Sequence, residues 1–101
     1  MSTITIYGAS DDLLEVEGAF SEEFQAYGET RLRVLAPDGD SLIVIGEFSA
    51  RDGEADWTLR VMNSATWPAW PIRFGDRPDR EGDPAIIIDV PEGTIVEEMS
   101  R

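Results

Sequence analysis

The chain has 101 residues and a formal net charge of −13 at pH 7, set by 21 Asp and Glu against eight Arg and no Lys. It contains no His and no Cys, which excludes Ser-His-Asp triads, thiolate nucleophiles, zinc knots and disulfides, while the missing Lys excludes Schiff bases and a P-loop lysine. Hydrophobic residues make up 42%, so the composition reads as one folded domain over residues 1–101 rather than a disordered chain.

Taken in chain order, the hydrophobic pattern has a period of two. Ile4 and Ile6 alternate with Thr3 and Thr5, then Leu14 and Val16 with Glu15 and Glu17. Leu32 and Val34 alternate with Arg31 and Arg33, and Trp57, Leu59 and Val61 with Thr58 and Arg60. Ile72 and Phe74 flank Arg73. Each pattern predicts a strand with one buried and one wet face. Leu42–Ile45 and Ile86–Ile88 are apolar on both faces and predict central strands covered on both sides. Thr94, Ile95 and Val96 predict a short last strand.

The punctuation between these runs is turn chemistry. Ala9–Asp12 links the first two strands, Pro37–Asp40 and Arg51–Glu54 fit tight hairpins, and Pro91–Gly93 closes the last pair. Ser21–Gly28 is ambiguous. A capping Ser, acidic residues in a first turn and a terminal Gly favour a short helix, whereas alternation at Phe24 and Ala26 favours a strand. The helix is slightly preferred. The expected fold is all-β, or mainly β with one short helix, as a small antiparallel β-sandwich or barrel of seven or eight strands.

Four constellations bear on function. Asp11, Asp12, Glu15, Glu17, Glu22 and Glu23 form an acidic run with no cation among them. Carboxylates in rows on a rigid sheet can imitate a nucleic-acid backbone and occupy a basic groove, although an ordinary solvated face has the same composition. Trp67 and Trp70, each followed by Pro, favour extended geometry and offer either a stacking ledge or a plug for the core. Arg73, Arg77 and Arg80 are suited to anionic groups of a small nucleotide-like or sugar-like ligand stacked on those indoles. The loop that carries Arg77 and Arg80 also holds Asp76, Asp79 and Asp83, as a solvated loop would. Asp11–Asp12 and Asp38–Gly39–Asp40 raise the question of paired catalytic carboxylates or a cation site. The second pair sits in a hairpin turn, where Asp and Gly serve the backbone.

The opening Ile4–Gly18, continuing through Glu22–Phe24, resembles a loose group of small acidic uncharacterised proteins of actinobacteria and their phages. The resemblance covers about the first quarter of the chain and carries over no functional residue. What it implies is a phage or mobile-element origin, in which small acidic proteins act as inhibitors of host defence.

The leading expectation is a non-enzymatic, cytoplasmic binding protein without cofactor or metal. Its acidic run would meet a basic protein partner, and neither nucleic acid nor a membrane would be bound directly. The alternatives are a small-molecule binder built on Trp67, Trp70 and the arginines, or an assembly domain whose sheet edges pair with other copies; the oligomeric state is left open, a homodimer being one option.

Overall fold

The computed structural model describes residues 1–10, 12–26, 28–51, 54–62, 68–76 and 84–99. Nine strands follow one another: β1 (Ser2–Ser10), β2 (Leu13–Glu17), β3 (Glu22–Gln25), β4 (Glu29–Leu35), β5 (Ser41–Arg51), β6 (Glu54–Met62), β7 (Ile72–Asp76), β8 (Pro84–Val90) and β9 (Ile95–Glu98). They form an antiparallel five-stranded sheet in the order β3-β2-β1-β8-β7 and an antiparallel four-stranded sheet in the order β6-β5-β4-β9. The fold is a two-sheet sandwich, and no helix occurs among the described residues.

Alternation produces the sandwich. Ile4, Ile6, Leu14, Val16, Ile86, Ile88 and Val90 from the first sheet meet Leu32, Val34, Leu42, Val44 and Val96 from the second, all buried in one cluster. Thr3, Thr5, Glu15, Glu17, Arg31 and Arg33 occupy the intervening positions on the outer faces. Two glycines let the sheets approach. A Cβ on Gly46 would collide with Leu14, and one on Gly8 would lie 2.6 Å from Trp57 Nε1. The Trp57 ring in turn packs tilted against Phe48, with centroids 5.1 Å apart.

The hairpin at Pro37–Asp40 forms as the sequence predicts. The Gly39 amide donates to the Ala36 carbonyl at 3.0 Å, and the Asp40 amide donates to the Asp38 carboxylate at 3.0 Å. Gly39 takes a φ of 97°, a conformation that favours glycine. The backbone thus accounts for Asp38 and Asp40. The β5–β6 pairing runs from Ile43–Met62 to Arg51–Glu54, as a hairpin requires; its turn lies outside the described residues. Pro91–Gly93 does not close a hairpin. Because β8 and β9 belong to different sheets, this turn carries the chain across the sandwich.

Two further expectations are corrected. The helix at Ser21–Gly28 is the edge strand β3, with Leu14 opposite Phe24 and Val16 opposite Glu22. Alternation prevails over the cap signals because Phe24 and Ala26 are both buried while Gln25 is exposed, and the Thr30 hydroxyl donates to the Gln25 carbonyl at 2.9 Å. Tyr27, which would have completed the helical face, lies outside the described residues. The central strands β5 and β8 are not covered on both sides by further layers. Ile43 and Ile87 are half-buried on outer faces, while Ile45 is 2% exposed yet stands apart from the core cluster.

Candidate partner-binding surface

The acidic run is divided by the alternation of its strands. Glu15, Glu17 and Glu23 point to the outer face of the five-stranded sheet. Glu15 and Glu17 are two positions apart on β2, about 6.6 Å, and Glu23 stands directly across from Glu15 with Cβ atoms about 5 Å apart. Glu22 lies on the opposite side of β3 from Glu23 and is exposed because β3 is an edge. Asp12 is exposed in the β1–β2 turn, where its carbonyl accepts the Ala26 amide at 2.8 Å. Asp11 lies outside the described residues. The result is a compact outer-face triad of Glu15, Glu17 and Glu23, rimmed by Asp12 and Glu22, instead of one continuous strip.

Among the described residues, the arginines stand away from this edge. Arg31 pairs with Glu29 at 3.0 Å, Arg60 with the same carboxylate group at 3.4 Å, and Arg33 with Glu97 at 3.5 Å, all on the outer face of the four-stranded sheet. Arg73 on β7 approaches Asp89 at 3.8 Å, and Asp89 also accepts the Thr3 hydroxyl at 2.9 Å. Among the described residues no ion pair reaches Asp12, Glu17, Glu22 or Glu23. Among the described residues nothing compensates these acids, which project a negative potential from the β2–β3 edge.

The tryptophan and arginine set is only partly described. Trp70 is 9% exposed and belongs to the core cluster, with Pro68 also buried. It thus serves as a plug where the chain enters β7; the Asp89 amide donates to the Pro71 carbonyl at 3.0 Å just beyond it. Arg73 is exposed on the outer face. Trp67, Arg77 and Arg80 lie outside the described residues.

Among the described residues no three carboxylates gather closely enough to hold a metal ion, and no helix is long and apolar enough to cross a membrane. A shallow, open depression of about 360 Å³ on the four-stranded sheet is lined by Arg33, Glu97, Glu98 and Met99. The arginine-bearing sheet face is the feature that sequence reading missed. Its signal was the Arg31-Leu32-Arg33 alternation, but only the pairing of β4 with β5 and β9 brings these arginines beside Ile43, Ile45 and Glu97.

Fold and surface together define a small acidic β-sandwich whose described charges are uneven: an acid-rich outer face with Arg73 as its one described cation on the five-stranded sheet, and a mixed face with Arg31, Arg33 and Arg60 on the other. The chain matches no protein-family model, no curated protein and no solved structure.

Proposed function

We propose that this protein is a non-enzymatic binder that presents the β2–β3 edge of its five-stranded sheet to a basic groove on a protein partner. One observation carries this reading: Glu17, Glu22 and Glu23 crowd one edge beside Glu15, and no cation pairs with those three among the described residues. Such an arrangement serves long-range steering, since a partner's Lys and Arg supply the missing counter-charge and water need not be excluded from a reacting centre. The partner class is a protein whose groove ordinarily holds a phosphate backbone, because regularly spaced carboxylates on a rigid sheet offer comparable charge density.

The test is capture of basic proteins from a lysate on immobilised protein at low salt, followed by elution with double-stranded DNA. A captured protein released by DNA, and lost in Glu17→Arg and Glu23→Arg but retained in Asp76→Arg on the far edge, supports the reading. Capture that is insensitive to salt and to both reversals sinks it.

A further inference from the structure

The outer face of the four-stranded sheet differs from the rest of the surface. Three of the four arginines whose side chains are described lie on it: Arg31, Arg33 and Arg60. They stand among Glu29, Glu47, Asp56 and Glu97, so the face is close to neutral on a chain of −13. An apolar band crosses it. Ile95 on β9 stands opposite Leu35 on β4, Leu35 is diagonal to Ile43 on β5, and Ile43 stands opposite Met62 on β6. Ile95 is 49% and Met62 37% exposed, with Leu35 and Ile43 half-buried between them. The band therefore spans all four strands at cross-strand contact distance. Beside it, Ile45 is buried between its cross-strand neighbours Arg31 and Arg60, whose aliphatic stems can cover it while their guanidinium groups reach Glu29.

We infer that this face is the interface of a homodimer, in which a second copy of the chain packs sheet against sheet. Charge selects the occupant. A two-fold contact sets a surface against itself, so it must tolerate its own image. The five-stranded sheet fails that requirement, because among the described residues its outer face carries Glu15, Glu17, Glu23 and Asp89 against Arg73 alone, so two copies would bring two strongly negative faces together. The four-stranded sheet satisfies it: Arg31, Arg33 and Arg60 are balanced by Glu29 and Glu97 of their own chain, so each copy presents a nearly neutral face around a shared apolar band. Four strands about 4.8 Å apart and of 9, 11, 7 and 4 residues, about eight on average, give a footprint of roughly 19 by 26 Å. That is about 490 Å² in projection before side-chain relief, which approaches the roughly 600 Å² per partner of the smaller stable interfaces. Packing these faces leaves both acidic edges outward. The inference does not depend on what the acidic edge binds.

Sedimentation velocity on the full chain tests it, at concentrations from about 1 µM to about 1 mM. The expected species is twice the 11.2 kDa chain mass. Ile95→Glu and Met62→Glu, both at exposed positions on edge strands, should each raise the dissociation constant at least about tenfold while the melting curve of the monomer stays cooperative. Ile43→Glu, at the centre of the band, should abolish the dimer. A monomer throughout the concentration range overturns the inference. So does a dimer that persists in both Ile95→Glu and Met62→Glu, since its contact then lies on another surface.

Discussion

Glu15 on β2 and Glu23 on β3 are direct cross-strand neighbours on the outer face of the five-stranded sheet, two like charges where an unlike pair would strengthen the sheet. Replacing Glu23 by Arg converts that pair into an attractive one. The expected result is a gain in stability of about 0.5–1 kcal/mol in urea denaturation. The same substitution should weaken partner capture about tenfold, because it places a cation at the centre of the acidic triad. A variant that is both more stable and weaker in binding marks the pair as kept for recognition. Loss of stability would show that Glu23 makes a favourable contact instead.

Salt should move folding and binding in opposite directions. The ion pairs of Arg31, Arg33, Arg60 and Arg73 are all at the surface and are worth about 0–1 kcal/mol each, so screening them removes little. Repulsion among 21 acids is the larger effect. As the Debye length falls from about 30 Å in dilute buffer to about 8 Å at physiological ionic strength, urea midpoints should rise. Partner binding at the β2–β3 edge should fall over the same range. Midpoints that drop with added salt would mean that the arginine pairs outweigh the repulsion.

The strands were legible where one face had to be wet, except that on β7 Phe74, expected on a buried face, is 68% exposed at the sheet edge. Ile4–Ile6, Leu14–Val16, Leu32–Val34 and Trp57–Val61 alternate in the sequence and in the sheets. The Pro37–Asp40 hairpin was legible too, because Gly39 needs positive φ and Asp38 caps the turn locally. The segment at Ser21–Gly28 was not, since its cap residues are equally at home in the loops that flank an edge strand. The division of the acidic run was hidden for the same reason: a strand, unlike a helix, sends Glu22 and Glu23 to opposite sides. The arginine face was legible only in part. The two predicted hairpins join β4, β5 and β6, but the pairing of β9 with β4, which adds Ile95 and Glu97, is long-range and no local pattern encodes it.

Gly8 lies against the Trp57 indole, and the space there is closed. Gly8→Ala should force the indole aside and cost about 1–3 kcal/mol as an overpacked core. Gly28→Ala meets nothing within 4 Å but must hold a φ of 77°, a backbone cost of about 1–2 kcal/mol. Fluorescence separates the two mechanisms. Gly8→Ala should shift tryptophan emission in the folded state, whereas Gly28→Ala should leave it unchanged. Equal spectra for both variants would mean that the Trp57 side chain does not rest on Gly8.

Trp57 and Trp70 are 7% and 9% exposed, so both should be shielded from solvent quenchers. With Trp67→Phe silencing the third indole, the folded protein should emit at short wavelength and resist acrylamide. Nucleotides should also fail to quench it, because neither remaining ring offers a free face for stacking. Urea should then restore both acrylamide quenching and a red-shifted spectrum together with unfolding. Strong quenching of the folded Trp67→Phe variant by a nucleotide would instead show that Trp70 can leave the core, and would return the stacking role to the Trp70-Pro71 segment. The companion variant Trp70→Ala fixes the energetic side of the same question: as a core plug, Trp70 should cost about 3–5 kcal/mol when removed. A loss below about 1 kcal/mol, the range expected at a surface position, would place the indole outside the core.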